Sequence, residues 1–151
     1  METQDLIEYS NKLKGLNPTT QPIWGKMTLQ HMVEHLSASI RMSNGKLYLN
    51  QSIADEEIAN RLAFLYSDSP FPRNIRQQNS PEGLRPLRCS NLDEALALLQ
   101  SMLLQFEIHY SEKPDDKPVH PLFGPLDKSQ WLRFHHRHMQ HHFTQFGLIT
   151  P

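Results

Sequence analysis

Apolar residues recur at helical spacing in five segments of this chain, and ten of its eleven prolines lie in the stretches between them. That alternation restricts the fold more than any other feature: a period of about 3.6 residues demands helices, and proline cannot continue one. Leu6, Ile7, Tyr9 and Leu13 mark a first amphipathic helix over 5–14 that stops at Gly15. Thr28, an N-cap residue type, opens a second in which Leu29, Met32, Val33, Leu36 and Ile40 share one stripe, ending near the Ser-Asn-Gly of 43–45. A shorter third helix is predicted over 53–66. Asn91 and Glu94 form a capping-box pattern ahead of 92–110, where dense leucine and methionine predict burial on much of the circumference. Asp127 with Gln130 repeats the pattern and opens a last helix that should run to about Phe146 and stop at Gly147. No run alternates with the period of a strand. The connections 67–90 and 112–126 are too long and proline-rich for tight hairpins, and the first is expected to cover part of the molecule. The predicted fold class is therefore all-α, four main helices plus one short one, joined by long crossover loops.

A chain of 151 residues suffices for one domain, 1–151, with a core that needs neither disulfides nor a structural metal. Any metal it binds would be functional before structural. A net charge of -1 and a mean hydropathy of -0.58 point to neither a nucleic-acid nor a membrane partner. The opening residues lack the basic and apolar regions of a secretion signal, so a cytoplasmic protein is expected. Cys89 is the single cysteine, can form no intramolecular disulfide, and reads as a packing residue. No serine-histidine-aspartate arrangement, phosphate-cradling glycine loop or dinucleotide fingerprint is present.

The chemistry of the chain gathers in its histidines. Five of the nine lie between His135 and His142. On a wheel of about 100° per residue, His135, His138 and His142 fall on the face shared with Trp131, Met139 and Phe146, His136 faces the polar side, and His141 sits on the boundary. His138 and His142 are one turn apart, the spacing that lets two imidazoles of one helix meet at one ion. On the second helix His35 lies at the edge of the apolar stripe, whereas His31 points further toward solvent and Glu34 reads as a surface residue. A His-x-x-x-His pair plus one imidazole from another helix makes a three-nitrogen site with positions left for water or a cosubstrate. The same residues also fit a solvated tail, or buried histidines satisfied by hydrogen bonds. Trp24, Trp131, Phe134 and Phe146 read as core.

Two segments go further. "WGKMTLQHMVEHL", Trp24 to Leu36, and "HMQHHFTQFG", His138 to Gly147, resemble the second-helix and C-terminal segments of the DinB-like superfamily of metal-binding helical bundles, also called YfiT-like metal-dependent hydrolases. The resemblance implies an up-down-down-up four-helix bundle, commonly a homodimer, that holds nickel or zinc. It implies His35, His138 and His142 as metal ligands, with His141 and Gln145 as neighbours that support or line the site. His31 and His135 are further pocket candidates, and His141 or His31 would be the proton carrier. The sequence is closer to an uncharacterised branch than to the thiol transferases of that superfamily. The expected activity is that of a metal-dependent hydrolase or thiol-dependent transferase: three neutral imidazoles leave a divalent ion its full charge, enough to bring the pKa of a bound water to about 7 or to ionise a small thiol cosubstrate. The alternative is a non-catalytic bundle that stores or senses a metal or ligand, or serves a stress response through a partner.

Overall fold

A computed structural model describes residues 1–73 and 84–151. Among these it is mostly helical, with five α-helices and one two-stranded sheet. No helix of the described residues is long and apolar enough to cross a membrane.

Helix α1 (Thr3–Ser10) begins two residues before its predicted start, because the backbone N–H of Glu2 donates to Asp5 Oδ2 at 2.6 Å and so closes the first turn. Its last turn tightens to a 3-10 turn over Asn11–Leu13. Helix α2 (Leu29–Arg41) starts where Thr28 Oγ1 accepts the N–H of His31. Its predicted stripe, Leu29, Met32, Val33, Leu36 and Ile40, is fully buried. Helix α3 (Ile58–Tyr66) is shorter than predicted: Ala54 is extended and Asp55–Glu57 forms a 3-10 turn before the first α-helical residue. Its C-terminal carbonyls are taken by two cations of the last helix. Arg133 donates to Leu65 O (2.8 Å) and Tyr66 O (3.0 Å), and Arg137 to Phe64 O (2.6 Å), Leu65 O (2.8 Å) and Ser69 O. These bonds satisfy the carbonyls that every helix end leaves open and place positive charge at the negative pole.

Helix α4 (Leu92–Glu112) carries the expected cap, with Asn91 Oδ1 accepting from Glu94 N–H at 2.9 Å and Glu94 returning to Ser90 N–H at 2.7 Å. One face, from Leu92 through Leu99, Leu103 and Phe106 to Tyr110, is buried. The expected burial on much of its circumference is confined to that face: Leu104 and Ile108 stand 56% and 55% exposed on the opposite side. Helix α5 (Lys128–Gln145) opens on a reciprocal box, Gln130 N–H to Asp127 Oδ1 and Asp127 N–H to Gln130 Oε1, both 2.9 Å. It closes with Gly147 at φ +67, where Leu148 N–H reaches Phe143 O (2.8 Å) and Gly147 N–H reaches Thr144 O (3.0 Å). Only glycine adopts that left-handed cap without strain.

Helix α2 packs most extensively on α4 and also meets α5, while α1 lies against α4 and α5. Trp131, Phe106 and Phe143 are the bulkiest fully buried side chains of the core they enclose. The segment 112–126 is not all loop. Strands β1 (Val119–His120) and β2 (Gly124–Pro125) pair antiparallel, a feature two residues long and therefore without a readable period. The hairpin closes the foot of α5: Trp131 Nε1 donates to Pro118 O at 3.1 Å, and the His120 ring packs 4.4 Å from Phe134. Of the connection 67–90, residues 74–83 lie outside those described, so what that stretch covers does too. Its described ends both lie on the side of α2 and α5 that carries the histidines, as the contacts below show.

Candidate metal centre

Two helices bring three imidazoles together. His35 leaves α2 at the edge of its buried stripe, and His138 and His142 leave α5 one turn apart. Nε2 of His138 stands 3.0 Å from Nε2 of His35 and 3.1 Å from Nε2 of His142. One ligand atom from each can be chosen so that all lie within 4.8 Å of one another. Hydrogen bonding does not account for this contact. A neutral ring nitrogen offers either one N–H or one lone pair, so Nε2 of His138 satisfies at most one of its two neighbours, and the other contact is repulsive. Nδ1 of His138 is buried with no hydrogen-bond partner among the described residues. A cation between the three nitrogens removes the conflict. Nitrogens about 2.05 Å from one ion stand about 2.9 Å apart at right angles and about 3.3 Å apart at the tetrahedral angle, a range that holds both observed separations. The donor set therefore fits a divalent metal.

The electrostatics agree. Burial, with smaller pushes from Arg85 and His141, lowers His35 to about 4. Burial and then His35 lower His142 to about 3, against the opposing bond to Gln145. His138 is driven well below its ordinary value by burial and by the surrounding imidazoles. All three rings are thus neutral at ordinary pH, so each has a lone pair to offer, the state that metal binding requires.

Gln145 sets the ring of His142. Its Nε2 donates to Trp24 O at 3.0 Å, so its Oε1 faces Nδ1 of His142 at 2.7 Å and accepts the proton there. That fixes the tautomer and leaves Nε2 free as a ligand. The backbone of the same residue accepts Ile23 N–H at 2.7 Å, so the segment before α2 is tied to the end of α5. Phe134 stacks on His138 at 5.3 Å and Phe71 on Phe134 at 6.0 Å, which covers one side of the cluster with apolar surface. The ring of His141 stands 5.0 Å from His142, 5.8 Å from Trp24 and 6.2 Å from Phe71. Trp24 is half-buried at this edge, unlike Trp131, Phe134 and Phe146, which lie in the core as expected.

Other histidines are placed elsewhere. His135, expected to line the pocket, is a core residue: it is 1% exposed, stacks on Trp131 at 5.2 Å, and its Nε2 donates at 2.7 Å to Ser43 Oγ, whose own proton goes to Ile40 O. The shared wheel face was correct, but three residues along α5 is more than 4 Å along its axis, enough to put the ring in another layer. His31 does not join the cluster either. Its Nδ1 is 2.6 Å from Thr28 Oγ1 and its Nε2 donates to Arg85 O at 3.1 Å, so it anchors the returning loop. His136, expected in solvent, is half-buried against Tyr9 at 5.3 Å because α1 packs on that side of α5. Glu34 is also more than a surface group: its carboxylate accepts Arg88 N–H at 2.6 Å and Gln30 Nε2 at 3.0 Å. Sequence reasoning missed Phe71 and Arg73, which reach the rings of His141 and Trp24 at the edge of the site from irregular chain where no period marks them. Comparison of the chain with family models, with curated proteins and with solved structures finds no match, so the reading of this site rests on its own geometry.

Proposed function

We propose that the protein is a divalent-metal-dependent enzyme of hydrolase or thiol-dependent transferase type, built as an up-down-down-up four-helix bundle of the DinB-like kind from α1, α2, α4 and α5, with α3 as the extra helix. The observation that carries this is the meeting of three Nε2 atoms, at 3.0 and 3.1 Å, on one side of the bundle with no carboxylate among them. A three-imidazole set leaves coordination positions open, which favours chemistry over a closed structural site. His35, His138 and His142 would hold the ion, nickel or zinc first, in a homodimer as the resemblance implies and in the cytoplasm as the opening residues suggest.

Bound there, the metal would supply Lewis acidity toward a water or small thiol. The chain's own residues do the rest. Gln145 holds His142 with Nε2 forward, Phe71 and Phe134 keep water from one flank, and His141 stands at the edge where the site meets Trp24. Of the two imidazoles considered as proton carriers, His31 is engaged by Thr28 and Arg85, which leaves His141.

Elemental analysis of protein purified without a histidine tag tests the metal: roughly one nickel or zinc per chain is expected. Loaded protein should then turn over members of an ester and thiol-conjugate panel. Metal binding with ligand-linked stabilisation but no turnover selects the non-catalytic binding module instead.

A further inference from the structure

We infer that Trp24 is a positioning residue of the histidine cluster: it aims its backbone carbonyl at Gln145 and so decides which nitrogen of His142 is left for a ligand. The inference rests on the reading of the cluster as a metal site and extends it from the ligands to the segment before α2.

The contacts form a continuous chain. Trp24 O accepts Gln145 Nε2 at 3.0 Å, which leaves Gln145 Oε1 to face Nδ1 of His142 at 2.7 Å. A backbone oxygen can only accept, so it fixes which end of the amide points which way. With the carbonyl turned aside, the amide would be free to turn over and donate its own N–H to Nδ1. The imidazole proton would then sit on Nε2, the atom that stands 3.1 Å from Nε2 of His138. One carbonyl thus separates a ligating tautomer from a blocked one. His138 has no comparable control, since its Nδ1 is buried with no partner among the described residues.

Three features aim that carbonyl. Gly25 follows it with φ +81, in the left-handed region, and rotation there turns the peptide plane that carries Trp24 O. Ile23 N–H donates to Gln145 O at 2.7 Å, and the Ile23 side chain lies so near Gly147 that a Cβ there would come within 3.2 Å. Residues 23–25 therefore grip the end of α5 through both the backbone and the side chain of Gln145. The Trp24 ring is the third feature. It is half-buried, with the Arg73 guanidinium 3.9 Å from its centroid and the His141 ring 5.8 Å away edge-on. Arg73 ends a segment that is itself fixed to α5, because Arg137 donates to Ser69 O and stands 4.7 Å over Phe71. An aromatic face between a guanidinium and an imidazole holds its residue in place, and any flat ring supplies such a face.

The test starts from metal-free protein whose imidazoles carry the heavy nitrogen isotope. Long-range proton–nitrogen correlation should show His142 as the Nδ1–H tautomer in the parent protein and as a mixture in Trp24→Ala and in Gly25→Val, with Trp24→Phe restoring the parent pattern. Valine at Gly25 tilts the carbonyl without removing the ring, because a β-branched side chain does not tolerate that φ. His135, whose Nε2 proton goes to Ser43 Oγ at 2.7 Å, is the internal reference and should not change. The second measurement is zinc affinity by competition with a chromophoric chelator. Trp24→Ala and Gly25→Val should each bind zinc about 10–100-fold more weakly, the loss expected of Gln145→Ala. In the Gln145→Ala background either change should cost nothing further, because a residue that acts through Gln145 has nothing left to act on. A parent protein without the Nδ1–H tautomer, a tautomer that survives both substitutions, or affinity losses that are absent or add to that of Gln145→Ala each overturn the positioning role. A parent protein that binds no zinc sinks the metal reading alone, and the tautomer of His142 then decides the role of Trp24.

Discussion

His135 and His138 sit three residues apart on one helix, His135 buried and His138 partly buried with its ring turned inward, and desolvation lowers the basicity of both, yet they do different things. His135 lies in an aromatic layer with Trp131, Phe106 and Phe134, and its Nε2 proton has a partner in Ser43. His138 turns its Nε2 to two other imidazoles and leaves Nδ1 without a partner. Depressed basicity therefore does not mark a ligand. What marks it is a lone pair that the protein has left unmet, because a satisfied buried histidine stabilises the fold and an unsatisfied one waits for a cation.

That contrast can be broken most directly by removing one ring at a time. His138→Ala or His142→Ala should abolish stoichiometric metal binding by elemental analysis, from roughly one ion per chain to near none. Unchanged metal content in both variants would end the assignment. Substituting His135 should leave metal content intact and instead cost stability. His135→Ala is expected to lose about 2–4 kcal/mol in denaturant unfolding, from the cavity beside Trp131 and the lost hydrogen bond to Ser43 Oγ.

Acid should act on the core layer even when no metal is bound. Burial lowers His120 to about 3, and burial followed by the charge of His120 lowers His135 to about 3. Their unfolded counterparts take up protons near 6.5. Between those limits the unfolded chain holds more protons, so in chelator the free energy of unfolding should fall as pH drops from about 6.5 toward 3, by about 1.4 kcal/mol per pH unit for each ring buried neutral. His135→Phe should flatten that slope, and a slope unchanged by the substitution would show that His135 is not buried neutral.

Smaller effects sharpen the boundary of the site. Gln145→Ala frees the ring of His142 and should weaken metal affinity about 10–100-fold, while Gln145→Glu, which retains an acceptor for Nδ1, should recover part of it in a competition titration. His31→Ala should change metal affinity least, because its bonds run to Thr28 and Arg85 rather than to the cluster. A loss as large as that of His142→Ala would return it to the ligand set.

The local signals of this chain were readable because they depend on a few neighbouring residues. The buried stripe of α2, the cap at Asn91, the capping box at Asp127, the glycine stop at Gly147 and the one-turn spacing of His138 and His142 all follow from helical geometry. The wheel also set His35 beside the stripe of α2, and the structure brings its Nε2 to 3.0 Å from that of His138. A wheel has no axial coordinate, however, so it grouped His135 with rings that lie a layer away. It likewise sent His136 to solvent, because the helix that covers it, α1, stands far off in sequence. The hairpin of Val119–His120 and Gly124–Pro125 was too short to carry a period.

What the amino-acid order determined by itself is where helices start and stop and which residues share a face, since both are set by contacts within a turn or two of chain. Only the tertiary structure decided which imidazoles meet one another and which find a hydrogen-bond partner. Those outcomes depend on packing between elements far apart in sequence, such as α2 and α5, whose His35 and His138 are 103 residues apart, where burial and long-range hydrogen bonds, not local spacing, set the energy.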